Sequence, residues 1–138
     1  MIDAGFILDS RLAADTHPVI SLPLCDVLLM NDARYPWLIL VPRRAGVVEI
    51  SDLDREDQAT LWQEVAHVTA ALRQVAVFEK LNLGALGNIV RQLHVHLVGR
   101  RDGDAAWPGP VWGNGHAVDY DGTQREHLIG ALRKSLIR

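Results

Sequence analysis

Residues 87–100 read GNIVRQLHVHLVGR, and the centre of this stretch, QLHVHL, alternates between polar and apolar side chains. Successive side chains of a β-strand point to opposite faces of the sheet, so a period of two predicts a strand, here over residues 90–98. One face would carry Leu93, Val95 and Leu97, and the other would carry Gln92, His94 and His96. The pattern therefore indicates a strand that presents two histidines on the same side.

The segments around this strand predict the remaining elements. Two short apolar runs at 27–30 and 37–41 flank a polar loop, which is typical of a hairpin. Apolar residues in 4-3-4-3 spacing predict a long helix over residues 53–78; they are Leu61, Val65, Val68, Leu72 and Val75. Residues 80–83 are consistent with a further strand, and the capping-box pattern of Thr123 and Glu126 predicts a helix over 124–137, within a C-terminal segment 119–138.

Residues 1–25 form the least regular part of the sequence. Pro18 and Pro23 interrupt any long element there, so we expect an irregular arm that includes one strand or none. The order of strands, long helix, strands and final helix predicts an α+β fold with an antiparallel sheet, because no strand–helix–strand series indicates a parallel one.

Length and composition restrict the class of protein. The chain has 138 residues, of which 49% are hydrophobic and 22% are charged, as in a single globular domain spanning 1–138. The net charge of −3 argues against a nucleic-acid-binding surface. The longest apolar run, residues 37–41, is far shorter than the ~20 residues that span a bilayer. Cys25 is the single cysteine and the N-terminus does not resemble a secretion signal, so we expect a cytoplasmic protein that contacts no membrane.

The spacing of His94 and His96 is compatible with three interpretations. Their Cβ atoms would lie ~6–7 Å apart on a strand, close enough for both rings to reach one group. The first is a solvent-facing pair on an antiparallel sheet. The second is a metal site, for which the sequence offers no recognisable third ligand. The third is nucleophilic catalysis, in which a neutral imidazole attacks phosphorus and forms a covalent intermediate.

The same stretch resembles the signature of the histidine-triad (HIT) family, His-x-His-x-His followed by two apolar residues. The resemblance covers roughly residues 26–112, which would be the HIT core, and it includes the 37–42 strand and Trp107-Pro108-Gly109. It implies a half-barrel of about five antiparallel strands with one long helix and a C-terminal helix. It also implies a twofold homodimer, a small-molecule nucleotide as substrate, and neither cofactor nor resident metal.

The resemblance assigns a role to each matching residue. His94 matches the nucleophile that takes a nucleotidyl group from the α-phosphate, and His96 matches the histidine that hydrogen-bonds the phosphate and leaving group. Substrate contacts are implied for the polar residues nearby, namely Asn88, Asn82 and either Asn31 or Asp32. Apart from the resemblance, we expect Arg100 or Arg101 to lie near the phosphate, because alternation along the strand should turn Arg91 away from the histidines.

Two positions depart from the family pattern. Gln92 replaces the first histidine of the triad, and Ala45 stands where many members carry a supporting histidine. The Gln92 amide can orient a neighbouring group but cannot titrate. We therefore expect a hydrolase or transferase that acts on a nucleoside phosphoramidate or a dinucleoside polyphosphate through His94, His96 and Gln92. The alternatives are a nucleotide-binding regulatory module without turnover and, less favoured, a metal-dependent enzyme that uses the two histidines as ligands.

Overall fold

The computed structural model describes residues 5–137, which form one antiparallel sheet and three helices. The strands are β1 (Thr16–Ser21), β2 (Cys25–Met30), β3 (Trp37–Pro42), β4 (Lys80–Gly84) and β5 (Val95–Arg100). Their order in the sheet is β1-β2-β3-β5-β4, with every neighbouring pair antiparallel. The helices are α1 (Ser10–Asp15), α2 (Arg55–Val75) and α3 (Gly122–Leu136), and a 3-10 turn covers Ile50–Asp52. The predicted α+β class, the five antiparallel strands, the long helix and the C-terminal helix are confirmed.

One face of the sheet packs against α2 and α3. Its helix-side core includes Leu38 and Leu40 from β3, Val95 and Leu97 from β5, and the predicted apolar stripe of α2. The helix begins where Asp54 accepts a hydrogen bond from the Asp57 backbone N–H, so it starts slightly later than the sequence predicts. After Val75 the chain becomes extended at Ala76, which ends the helix before residue 78.

The opposite face of the sheet is covered as well, and this determines where the functional site lies. Alternation along β3 turns Trp37, Ile39 and Val41 away from the helices. They form a second core with buried residues from other segments, namely Leu12, Leu28, Tyr35, Val98, Ala106 and Val111. Helix α1 and the loop around residues 106–112 thus lie over this face. Since His96 alternates onto the same face as Val98, the histidines do not face open solvent.

The N-terminal arm is more regular than the sequence predicts. Residues 1–4 lie outside the described part of the chain, but residues 10–15 are helical and β1 pairs with β2 over most of its length. Pro18 is tolerated because β1 is an edge strand, and the pairing shifts register between Pro18 and Ile20. Prolines that were expected to break regular structure therefore lie within and just after an edge strand.

The predicted strand at 90–98 is displaced toward the C-terminus. Strand β5 begins only at Val95, and residues 85–94 form an irregular segment in which Gly87 has a φ of 71°. The Leu93 N–H donates to the Val47 carbonyl outside the sheet, which separates this segment from β3. Likewise, α3 is capped by Asp121 rather than by Thr123, because the Asp121 side chain accepts from the Gln124 N–H.

Candidate active site

The two histidines lie together at the start of β5. His94 immediately precedes the strand and His96 is its second residue, and their ring centroids are 4.9 Å apart at an interplanar angle of 63°. Both residues are only 7% exposed. The two imidazoles therefore lie side by side and are largely buried, although only His96 belongs to the strand.

The protonation of His94 is determined by its own backbone neighbour. Its Nδ1 lies 2.7 Å from the carbonyl oxygen of Gln92. A carbonyl oxygen can only accept, so Nδ1 must carry the hydrogen. In the neutral ring the other nitrogen, Nε2, then holds a free lone pair. This is the tautomer that a nucleophilic imidazole requires.

His96 is held in the opposite tautomer. Its Nδ1 lies 3.0 Å from the indole Nε1 of Trp37, and an indole N–H can only donate. Nδ1 must therefore accept, which places the hydrogen of the neutral ring on Nε2. Burial, assisted by the nearby His94, lowers the pKa of His96 to about 3. His96 thus remains a neutral donor across the physiological pH range.

Both histidines line a cleft of about 410 Å³ on the second face of the sheet. Its walls come from α1, from β3, from the turn at 86–90 and from the segment at 111–117. Apolar side chains such as Leu12, Ile39 and Val111 alternate with Arg11 and Arg34 along these walls. Such a cleft can hold a flat apolar ring together with an anionic group.

A buried ion pair forms one side of the cleft. Asp32 is 1% exposed and accepts hydrogen bonds from the Arg34 guanidinium at 2.8–3.3 Å and from the backbone N–H groups of Arg34 and Val118. Burial would raise the pKa of Asp32, but these hydrogen bonds outweigh it and lower the pKa. Arg34 also donates to the Asn114 carbonyl, so the pair ties the segment at 111–118 to the sheet.

Comparison with known proteins identifies the family. A model of the HIT domain matches residues 11–103, more than half of the chain. The chain belongs to the HIT family. The match begins earlier than the resemblance at 26–112 does and ends before it, since it takes in most of α1 and all of β1.

Solved structures of HIT proteins match nearly the whole chain. A histidine triad protein from Bradyrhizobium japonicum is 50% identical, with a TM-score of 0.93 and coverage of 95% of this chain and 98% of that one. One from Sinorhizobium meliloti is 48% identical, with a TM-score of 0.93 and coverage of 96% and 98%. One from Marinobacter aquaeolei is 45% identical, with a TM-score of 0.92 and coverage of 96% of both. A search of curated protein sequences gives no match.

Half of the site residues expected from the sequence line the cleft. They are Asp32, Asn88, His94 and His96. Gln92 instead borders a smaller hollow of about 160 Å³, which shares Leu86, Gly87, Asn88 and His94 with the cleft. His94 therefore lies between two hollows, with Gln92 on the side away from the cleft.

Asn82 and Arg100 do not reach the site. Arg100 is 2% exposed, and its guanidinium binds the Asp104 carboxylate at 2.8–2.9 Å and the Asn82 side-chain oxygen at 2.9 Å. Arg100 is the last residue of β5, four residues after His96, and Asn82 pairs with Val98 from β4. Neither side chain lines the cleft, and Arg100 instead fixes the loop that follows β5.

The Asn31 side chain is hydrogen-bonded to the segment that precedes α3. It accepts from the Tyr120 N–H at 3.1 Å and donates to Asp119 at 3.2 Å. It fastens the segment before α3 to the end of β2 and does not line the cleft. Of the two candidates in this loop, Asp32 is the one that the fold brings to the site.

Two tryptophans of the cleft contact His96. The Trp37 indole donates to its ring, and Trp112 packs edge-on against it at a centroid distance of 5.4 Å. Ala45, by contrast, is exposed and lines neither hollow. Alternation along β3 could have placed Trp37 on the histidine face, but no sequence pattern signals the long-range approach of Arg11.

The described residues include neither a metal-binding cluster nor a membrane-spanning helix. Among residues 5–137, no group of three or more His, Cys, Asp or Glu side chains is arranged to hold a metal ion. No helix in the same part of the chain is both long enough and apolar enough to cross a membrane.

Proposed function

We propose that the protein is a nucleotide hydrolase or nucleotidyl transferase that acts at the α-phosphate of a nucleoside phosphoramidate or a dinucleoside polyphosphate. The observation that carries the proposal is the pair of opposite tautomers facing one cleft. His94 offers a free Nε2 lone pair, and His96 offers an Nε2–H donor beside it. A nucleophile with an adjacent neutral donor is the minimum that phosphoryl displacement through a covalent intermediate requires.

In the first step His94 Nε2 attacks the α-phosphorus. The new N–P bond forms as the bond from phosphorus to the leaving amine or phosphate breaks, and the electron pair of that bond departs with the leaving group. The Gln92 carbonyl, which accepts from Nδ1–H, stabilises the positive charge that develops on the ring. His96 donates its Nε2–H to a phosphate oxygen or to the leaving atom.

In the second step water replaces the imidazole. Attack of water on the nucleotidyl-His94 forms an O–P bond, breaks the N–P bond and returns the electron pair to Nε2. The water loses a proton to the solvent, and the nucleoside monophosphate is released. The apolar walls, which include Leu12 and Ile39, would pack against the base. The oxygens of Asp32 are already occupied by Arg34 and Val118, so a contact with the ribose hydroxyls would share these oxygens.

The experiment that tests this function combines AMP release from adenosine phosphoramidate with intact-protein mass spectrometry. We expect the native protein to release AMP and to gain transiently the mass of an adenylyl group. His94→Ala should lose both signals, whereas the matched control His127→Ala, on the exposed surface of α3, should retain them. AMP release by His94→Ala at the native rate would overturn the proposal.

A non-catalytic nucleotide-binding module is the second candidate. It is favoured by one observation: the Gln92 side chain, which replaces a triad histidine, is engaged with the N-terminal segment and not with His94. This candidate predicts saturable AMP binding with neither an adduct nor turnover. The same experiment, with AMP binding measured by calorimetry, separates the two candidates.

We further propose a cytoplasmic homodimer that joins two sheets through β4. This strand is an edge of the sheet among the described residues, and Leu83, Leu86 and Ile89 on or near it are exposed apolar side chains. An unpaired edge with exposed apolar residues favours addition of a second strand. Sedimentation equilibrium should give the dimer mass for the native chain and a monomer for Leu83→Lys. A native monomer at micromolar concentration would contradict the dimer.

A further inference from the structure

Gln92 makes two hydrogen bonds with the backbone of a distant segment. Its Oε1 accepts from the Asp9 N–H at 2.9 Å, and its Nε2 donates to the Ile7 carbonyl at 2.9 Å. A single amide thus satisfies a donor and an acceptor two residues apart, much as a neighbouring strand would. Its own backbone carbonyl meanwhile accepts from His94. The residue that replaces the first triad histidine therefore bonds the N-terminal segment with its side chain and the nucleophile with its main chain.

The segment held by Gln92 leads directly into helix α1. Asp9 is the N-cap of this helix, and its side chain accepts from the Arg11 N–H at 2.8 Å. The other end of the helix is held separately, because the Asn31 N–H donates to the Asp15 carbonyl at 3.0 Å. A six-residue helix is too short to be stable alone, so these attachments determine its position.

Helix α1 is one wall of the cleft. Leu12 and Arg11 both line it, and Leu12 is also buried in the second core with Trp37 and Ile39. The Arg11 side chain is exposed and takes part in no ion pair within residues 5–137. The wall thus offers an apolar surface and a cation to whatever occupies the cleft. Its distance from the histidines depends on the bonds that fix residues 7–9.

An amide side chain is suited to hold the backbone of residues 7 and 9, because it both donates and accepts. A carboxylate at the same position could accept from Asp9 but would repel the Ile7 carbonyl, and an imidazole would lose its acceptor when protonated. The amide keeps both bonds at every pH. We propose that the Gln92 side chain has a positioning role in nucleotide binding: it fixes the N-terminal wall of the cleft and takes no direct part in the chemistry at His94, which only the Gln92 main chain contacts. The catalytic part of this inference rests on the proposed function.

The test compares Gln92→Ala and Gln92→Glu with the control Gln74→Ala, which alters an exposed glutamine of α2. Amide hydrogen exchange in the unliganded protein reports the wall directly, at the Ala13 N–H that donates to Asp9. We expect faster exchange across residues 9–13 in both Gln92 variants than in the native protein. The exchange rate of the control should equal the native rate. The milder Gln92→Glu retains one of the two bonds, so it keeps the test valid if Gln92→Ala does not fold.

Binding and turnover report the consequence for the nucleotide. Loss of the two hydrogen bonds should raise the Kd for AMP and the KM for adenosine phosphoramidate about five- to tenfold in Gln92→Ala, and less in Gln92→Glu. The kcat should stay within about twofold, because the Gln92 main chain still accepts from His94. Unchanged exchange with a lowered kcat and a native KM would overturn the inference. Absence of turnover in the native protein would defeat the proposed function alone, since exchange and AMP binding need no turnover.

Discussion

His94 and His96 are identical side chains two residues apart, yet the fold gives them opposite tautomers. A main-chain carbonyl holds the hydrogen of His94 on Nδ1, whereas an indole N–H from a neighbouring strand forces the hydrogen of His96 onto Nε2. One ring thus presents a lone pair to the cleft and the other presents a hydrogen. The difference shows that the hydrogen-bond partner of Nδ1 determines whether Nε2 of an imidazole acts as a nucleophile or as a donor.

Replacing each histidine in turn should produce unequal losses. His94→Asn removes the nucleophile, so we expect kcat to fall more than about 10³-fold. His96→Asn removes one neutral donor to the phosphate, which typically costs about 10²-fold in kcat. Steady-state AMP release from adenosine phosphoramidate measures both. Equal losses would contradict the assignment of different roles to the two rings.

The Trp37 indole should matter for catalysis as well as for packing. Trp37→Phe keeps the ring in the second core but leaves the buried Nδ1 of His96 without its donor, so the second tautomer becomes accessible. We expect kcat to fall about tenfold, equivalent to about 1.4 kcal/mol. Trp62→Phe, at an exposed position of α2, is the matched control and should leave kcat unchanged. A native kcat in Trp37→Phe would show that the tautomer of His96 is irrelevant.

The pH dependence of stability should reflect the burial of His96. The pKa of this residue is about 3 in the folded chain, against an ordinary value of 6.5. Between these values the unfolded chain binds a proton that the folded chain does not, so stability falls as the pH falls from about 6 to 4. One such proton contributes a slope of up to about 1.4 kcal/mol per pH unit.

Urea unfolding of the native protein and His96→Asn at several pH values isolates this contribution. The carboxylates titrate in both proteins, so the difference between the two curves belongs to His96. We expect the free energy of unfolding to depend more steeply on pH in the native protein than in His96→Asn. The difference in slope should correspond to the uptake of up to one proton. Parallel curves would mean that His96 is charged in the folded protein, contrary to its bond with Trp37.

Arg100 lies on the same strand as His96. Of the substitutions considered, Arg100→Met should have the smallest effect on catalysis. Arg100→Met leaves the buried Asp104 carboxylate unpaired; its pKa of about 2 reflects hydrogen bonds from Arg100, which outweigh the effect of burial. We expect a loss of about 3 kcal/mol or more in the free energy of unfolding. The KM for adenosine phosphoramidate should stay within about twofold, because the guanidinium does not line the cleft. A strongly raised KM with native stability would restore Arg100 as a substrate contact.

The sequence predicted the sheet, the long helix and the histidine pair because each depends on local periodicity. The stripe of α2 and the alternation at 93–97 persist in the fold, where they separate the helix-side core from the histidine face. The alternation fails at Gln92, whose side chain does not line the cleft. The helix at residues 10–15 was missed because its position depends on distant partners, among them Gln92 and Asn31. The position of the Arg100 side chain likewise depends on a partner that periodicity does not reveal, since an ion pair with Asp104 holds it outside the cleft.

The most direct test of the account is the tautomeric state of the two rings in solution. Long-range ¹H–¹⁵N correlation spectra of the native protein, assigned with His94→Asn and His96→Asn, distinguish a protonated from an unprotonated ring nitrogen. We expect protonated Nδ1 and unprotonated Nε2 for His94, and the reverse for His96. The same tautomer in both rings, or rapid averaging of both, would contradict this expectation.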